Sequence, residues 1–496
     1  MNLTFFGGVN EIGGNKILIE EKDTRILLDF GMSFNLYKKY YAEFLQPRKC
    51  NALFDYIEFG LLPKIEGIYR EDYLLYCGLK YPNKPLVDAL FLSHAHLDHS
   101  AFLHFLRLDI PIYCTEETYL ILKALEETSA RPFMDLVNLK KDFYFIKTQK
   151  GNYKRLEGDD AKIERDFVIM KPFKKYYVGG IEVEAVPVDH SLPGAVGFMV
   201  YTNSGNVAYT GDLRFHGRRK ELSREFVKVA KKADLELMLC EGTRVDEKEN
   251  VTEEDVEEKS KNIILETHGH VVVNYPIRDL DRLLTFFEVA KDVDRKLVVN
   301  LKQAFLLKIF EKFGIYPKLK EVVVYIPRKG WGLQSDEFFV YLEEGGWVNA
   351  SKTGKDEIMK DYDKWEREFL ELENRITYKE IRDNPKDYIF RCDNFELKEL
   401  IDIKPKNGVY IRSLTEPFDE DMIIEEKRVK NWLEHFNLLP MHHIHSSGHL
   451  NGKEISEIIN EIMPRKLIPI HTKNPGGFER IVDRDIKIEY AKLKYE

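Results

Sequence analysis

The segment Ser93-His94-Ala95-His96-Leu97-Asp98-His99-Ser100 constrains this chain more than any other. The apolar run Leu86–Leu92 before it predicts a buried strand, and Ala101–Arg107 after it predicts a helix. Three histidines and an aspartate therefore crowd one strand-to-helix turn. Alternate residues of an extended chain point the same way, so His94 and His96 can reach one metal ion. Once the chain turns, Asp98 and His99 can reach a second ion beside the first. Imidazole with carboxylate suits zinc best and leaves manganese or iron open.

Further potential ligands stand where later strands stop. The alternating run Ile181–Val188 delivers Asp189-His190-Ser191, and Val207-Ala208-Tyr209 delivers Thr210-Gly211-Asp212. His190 supplies a third imidazole for the first ion, and Asp212 a carboxylate able to bridge both. Near the C-terminus a helix over Lys453–Ile462 precedes a strand over Lys466–Ile470, which ends at His471 and offers a ligand to the second ion. Leu235–Cys240 reads as a strand running into Glu241. Asp29, at the tip of Leu27-Leu28-Asp29-Phe30-Gly31, is expected to tie down a neighbouring loop rather than touch metal. His104, His216, His268, His270, His435, His442 and His443 are left to core or surface roles.

A chain of 496 residues is too long for one ordinary core, so two domains or a large insertion are expected. No apolar run approaches the ~20 residues of a membrane span. The N-terminus has no signal-peptide pattern, and five scattered cysteines without a Cys-x-x-Cys pair suit a reduced, cytoplasmic setting. A formal net charge of -9 argues against broad electrostatic coating of nucleic acid, so a polyanion would need a local basic groove.

Gly7-Gly8 and Gly13-Gly14 punctuate two strands within residues 1–30 and serve either tight turns or a phosphate loop, turns being favoured. Residues 32–82 are aromatic-rich and irregular, an insertion that covers a cleft or meets another subunit. Residues 139–175 carry eleven Lys/Arg against six Asp/Glu, with aromatics interleaved. That mixture either tracks a phosphate backbone and stacks bases or forms a solvated hairpin. Thr252-Glu253-Glu254-Asp255 predicts a capped, exposed acidic helix. From about 262 to 435, β-branched runs such as Gly269–Asn274, Lys296–Asn300, Glu321–Ile326 and Gly408–Arg412 alternate with helical stretches. Such alternation predicts a mainly parallel sheet, inserted between the metal-ligand segments. The charged run Gly345–Lys379 reads as helical.

His-x-His-x-Asp-His, Val188-Asp189-His190, Thr210-Gly211-Asp212 and Pro469-Ile470-His471 resemble the metal motifs of the metallo-β-lactamase fold. Phe6–Asn15 and Leu28-Asp29-Phe30-Gly31 resemble the same fold. Glu241, His449 within His445-Ser446-Ser447-Gly448-His449, and His471 match the three extra motifs of its β-CASP branch, which contains the RNase J proteins and the nuclease of mRNA cleavage and polyadenylation. The resemblance covers roughly 1–35, 86–100, 181–245 and 440–475, and implies an α/β protein. A metallo-β-lactamase αββα sandwich (1–240 and 439–496) would carry an inserted β-CASP domain (241–438). The C-terminal dimerisation domain of bacterial RNase J and the KH modules of archaeal relatives are expected to be missing.

The same resemblance implies a metal-dependent ribonuclease with two Zn2+ or Mn2+ ions. His94, His96 and His190 would hold one ion, Asp98, His99 and His471 the other, with Asp212 between them. The ion pair would activate water as hydroxide for in-line attack on phosphorus. His449 would protonate the leaving ribose oxygen and Glu241 would orient His449, so the implied catalytic residues are His449, Glu241 and Asp98. His445, Ser447 and Gly448 would bind a neighbouring phosphate of single-stranded RNA. A homo-oligomer is compatible with this reading; a membrane partner is not expected. His471 at the third extra motif is the pattern of RNA-directed members. The competing readings are a β-CASP DNA nuclease of the repair type, a small-molecule metallo-hydrolase and a catalytically silent partner subunit.

Overall fold

The computed structural model describes residues 1–42, 44–129, 135–139, 143–157, 163–330, 339–342, 346–349, 359–417, 420–483 and 485–494. The chain divides into two compact units, Met1–Asn250 with Ser447–Glu496, and Val251–Ser446. The first unit is therefore discontinuous in sequence. Among the described residues no helix is long and apolar enough to cross a membrane.

Two sheets make the centre of the first unit. One has six strands in the order Asn2–Gly7, Lys16–Glu21, Thr24–Leu28, Ala89–Phe91, Ile112–Cys114 and Phe167–Ile169. The other has seven, in the order Lys175–Val178, Ile181–Pro187, Val196–Thr202, Gly205–Tyr209, Leu235–Glu241, Lys466–Ile470 and Lys487–Ile488. Their inward faces share one core, in which Ile17, Ile19, Leu28 and Phe91 meet Val183, Phe198, Leu239 and Ile470. The outer face of the seven-stranded sheet buries Met199, Ala208 and Met238 against two helices, Lys220–Lys232 and Gly452–Ile462.

The second of these helices shows why a short segment commits to its shape. Asn451 caps it by accepting from the Glu454 backbone, and Glu454 reciprocates. Ile455, Ile458, Ile459 and Ile462 fall on one buried face, and left-handed Met463 stops the helix. The other sheet carries Glu116–Thr128, whose Tyr119 packs edge-on to Phe167, ring centroids 5.1 Å apart. Helix, sheet, sheet and helix give the αββα sandwich.

Parallel pairing at the sheet ends positions the site. Leu28 pairs with Phe91, which sets Asp29 beside the turn that begins at Ser93. Tyr209 pairs with Leu239, and Glu241 with Ile470. Glu241 and the loops carrying Asp212 and His471 therefore lie at the ends of adjacent strands on the same sheet edge, the carboxyl edge that α/β proteins use for chemistry.

The insertion at 32–82 has more order than its sequence suggests. It forms three short helices, Phe34–Tyr40, Ala52–Glu58 and Glu71–Tyr76, the first two held together by packed rings of Tyr37, Tyr41, Tyr56 and Phe59. Within 139–175, Phe143–Lys147 and Tyr153–Glu157 form a separate hairpin, whereas residues 140–142 and 158–162 lie outside the described residues.

The second unit is built on a seven-stranded, all-parallel sheet. Its order is Arg375–Ile376, Val323–Tyr325, Lys296–Val299, Tyr388–Arg391, Val271–Asn274, Val409–Arg412 and Met441–His443. Helices Leu280–Asp292, Leu301–Phe310 and Glu399–Ile403 lie among these strands in the chain, the β-CASP alternation. Two local expectations need correction. Thr252 and Asp255 do form the capping box of Glu253–Leu265, but that helix is not wholly exposed. Glu253 is fully buried, paired at 2.8 Å with equally buried Arg282. The run 345–379 is not one helix. Gly346–Asn349 is a hairpin strand, Arg367–Phe369 a single tight turn and Arg375–Ile376 an edge strand; Gly345 and 350–358 lie outside the described residues.

Candidate metal centre

All seven proposed ligands come together in the first unit. His94 and His96 sit just past the Ala89–Phe91 strand, and the helical turn Leu97–Ser100 then carries Asp98 and His99. Nε2 of His94 and Nε2 of His190 each lie 3.0 Å from Nδ1 of His96, so three imidazole nitrogens converge on one point. Oδ2 of Asp212 is 3.6 Å from His94 Nε2 and 4.0 Å from His190 Nε2. The same oxygen is 3.2 Å from His99 Nε2 and 3.8 Å from His471 Nε2. On that side Asp98 Oδ2 lies 3.3 Å from His471 Nε2 and 3.9 Å from His99 Nε2. Asp212 Oδ2 thus faces two donor sets, one of three imidazoles and one of two imidazoles with a carboxylate, and also groups with His449 and His471.

These donors fit divalent cations. Asp212 Oδ1 and His99 Nε2 are fully buried with no hydrogen-bond partner among the described residues, a costly state for polar atoms that a cation relieves. Burial holds His94 and His190 well below the ordinary imidazole range, so both are neutral, the form that binds metal. For Asp212 burial favours the neutral acid, but His471, His99 and His449 outweigh it and hold the carboxyl well below its usual range. The result is an ionised carboxylate between two donor sets.

Contacts behind the ligands fix which nitrogen each presents. Asp29 is fully buried and accepts from the Ser93 backbone (2.7 Å), Ser93 Oγ (2.8 Å), the Tyr209 hydroxyl and His99 Nδ1 (2.7 Å). It orients a ligand without touching the donor cluster. Ser93 Oγ also lies 3.0 Å from His94 Nδ1, and His190 Nδ1 donates to the Gly448 carbonyl at 2.7 Å. Each of these leaves Nε2 facing the cluster.

His449 stands at the edge of the cluster, partly exposed. Its Nδ1 is 3.2 Å from Oε1 of fully buried Glu241 and 4.0 Å from Asp212 Oδ2, which leaves Nε2 for a reactant. Burial alone would lower the imidazole, but Glu241 and Asp212 raise it to about 9.

Three braces of this loop were not anticipated from sequence. Arg214 Nη1 (3.2 Å) and His216 Nε2 (3.0 Å) both donate to the Ser447 carbonyl, and Asp189 in turn holds Arg214 at 3.2 Å. Thr243 Oγ1 lies between the rings of His449 and His471. Polar side chains two and four positions past Asp212 were the one available signal for the Arg214 and His216 contacts. Ser447 Oγ accepts from the His449 backbone at 3.2 Å, so the polar groups of Ser447 and Gly448 seen here brace His449 and His190. His445 belongs to the second unit, where Arg282 Nη1 lies 3.4 Å from its Nδ1. His104 and His270 are spent on internal hydrogen bonds, to Tyr73 and Asp135 and to the backbone of Lys406 and Ile381.

Residues 77–283 match the Beta-lactamase superfamily domain. Ribonuclease J of Mycoplasma pneumoniae is 23% identical over 483 residues, 94% of this chain and 67% of that protein. Ribonuclease J 2 of Streptococcus pyogenes is 23% identical over 301 residues, 59% of this chain and 44% of that one. The transcription termination factor FttA of Methanocaldococcus jannaschii is 26% identical over 227 residues, 44% of this chain and 28% of that factor. The chain therefore spans two thirds of the first relative and less than half of the other two. A crystal structure of a protein of unknown function from Enterococcus faecalis V583 superposes with a TM-score of 0.68 at 23% identity, covering 99% of this chain and 97% of that one.

The sandwich, the histidine turn and the parallel insert have the metallo-β-lactamase fold with a β-CASP-type insertion. Over that fold the chain is similar to the ribonuclease J proteins.

Proposed function

We propose that the chain is a metal-dependent ribonuclease that hydrolyses RNA phosphodiester bonds. The observation that carries this reading is the adjacency of a two-set donor cluster, joined through Asp212 Oδ2, and a histidine whose inner nitrogen is held by a buried carboxylate. His94, His96 and His190 would hold one cation, Asp98, His99 and His471 the other, with Asp212 between them. Two such cations, zinc by donor chemistry, would supply Lewis acidity, which would lower the pKa of water towards ~7 and offset charge on the phosphate oxygens.

The chain's own residues do the rest. His449 presents Nε2 to the scissile bond and gives a proton to the departing ribose oxygen, which otherwise leaves as a poor alkoxide. Glu241 orients that ring and balances its positive charge. His190 and Arg214, through the carbonyls of Gly448 and Ser447, keep the His449 loop against the cluster. His445, Ser447 and Gly448 are the residues proposed to contact a neighbouring phosphate. All five cysteines are free, which supports a reducing, cytoplasmic setting.

The test is incubation of purified, metal-loaded protein with RNA labelled at either end, bearing a 5′ mono- or triphosphate, beside DNA of the same sequence. A product ladder from RNA supports the reading and shows whether cleavage is exonucleolytic, endonucleolytic or both. Cleavage confined to DNA, or of neither polymer, would overturn it.

A further inference from the structure

Thr243 lies two residues past the Leu235–Glu241 strand, and His471 one residue past the parallel strand Lys466–Ile470 that pairs with it. Its Oγ1 is 2.9 Å from His471 Nδ1, 3.3 Å from the His471 carbonyl and 3.2 Å from His449 Nδ1. Among the described residues it is the hydrogen-bond partner of His471 Nδ1. The opposite ring nitrogen, Nε2, faces Asp98 and Asp212.

We infer that Thr243 is the positioning residue that fixes the tautomer of His471 and with it the second cation site. The inference rests on the two-cation reading above. A ring that offers a lone pair from Nε2 must carry its proton on Nδ1, and that proton needs an acceptor. A threonine hydroxyl has two lone pairs and one proton. The His471 carbonyl can only accept, so the hydroxyl proton goes there and one lone pair accepts from Nδ1–H. The other lone pair faces His449 Nδ1, whose proton it shares with Glu241.

Backbone geometry supports this assignment independently. His471 has φ of +50°, in the left-handed region that histidine seldom adopts. Both ends of its backbone are held: its N–H donates to the Gly8 carbonyl at 2.8 Å, and its carbonyl accepts from Thr243. One hydroxyl thus anchors the strained backbone and sets the ring proton. Thr243 itself is placed by its backbone N–H, which donates to Glu241 Oε2 at 3.1 Å, so its side chain can be changed without freeing the loop.

The experiment is a titration of metal-free protein with Zn2+ against a competing chelator, for the wild type, Thr243→Val and Thr243→Ser. The wild type is expected to take two equivalents. Thr243→Val, equal in shape but without the hydroxyl, should bind the first as before and the second about 10–100-fold more weakly, the usual worth of a partner to a ligand histidine. Thr243→Ser restores the hydroxyl and should recover the second site. A Thr243→Val chain that binds both ions as tightly as the wild type overturns the inference, as does a serine variant as impaired as the valine one. A wild type that takes a single equivalent overturns the two-cation reading and this inference together, before any variant is compared.

Discussion

Replacing Lys16 by methionine should change how stability responds to alkali while leaving the metal ligands in place. The ammonium is buried beneath the histidine turn, donates to the carbonyls of Gly14 (2.8 Å) and Gly31 (2.9 Å) and lies 5.5 Å from the centre of the Phe102 ring. Burial pulls its pKa from 10.5 down to about 8, the charge of Glu11 recovering part of the loss. Between those two values the unfolded chain holds a proton there that the folded chain has released. Stability from this residue therefore rises with pH across the window from about 8 to 10.5 and is flat below it. At ~1.36 kcal/mol per unit, the full rise is about 3 kcal/mol. Urea denaturation of the wild type and Lys16→Met at pH 7.5 and at pH 10.5 isolates the effect, because every other group titrates in both. The wild type should gain about 3 kcal/mol over the variant between the two pH values. Parallel pH profiles, or a wild type that loses ground as pH rises, would refute the argument.

Other outcomes follow from the site and the second unit. His449→Ala should keep both cations by elemental analysis and lose about 10²–10⁴-fold in cleavage rate; a variant that cleaves RNA at the wild-type rate removes His449 as the acid. Asp212→Ala takes the shared oxygen from both donor sets and should lose bound metal, so full occupancy in that variant would rule out the bridging role. In the second unit, Arg282→Met leaves Glu253 buried without its guanidinium and should cost about 3–5 kcal/mol in denaturant melts. Adding Glu253→Gln to that variant should recover part of the loss; a double variant less stable than the single one would show that the pair is not the source.

The parts of the site legible in the sequence share one physical cause. A metal ligand has to sit where a strand stops and its loop begins, so His94, His96, His190, Asp212 and His471 each follow a short apolar run that advertises its strand. Contacts behind the ligands have no such signature. Thr243 meets His471 across 228 positions and Arg214 reaches Ser447 across 233, and nothing local to either residue announces a partner so distant. The same blindness explains the helix at Glu253–Leu265. Its acidic first turn reads as solvated until Leu280–Asp292 brings Arg282 against Glu253 and buries both.

What joins the legible and illegible parts is strand register. Because Leu239 pairs with Tyr209 on one side and Ile468 on the other, the loops that begin at Thr210, Gly242 and His471 emerge level with one another. Sliding the Lys466–Ile470 strand by one residue would turn the His471 side chain to the opposite face of the sheet, away from Asp98 and Thr243 together. The ligand and its brace are therefore set by one choice of register. The apolar pattern Leu467, Ile468 and Ile470 makes that choice by burying Ile468 and Ile470 between the sheets and Leu467 against the outer helices.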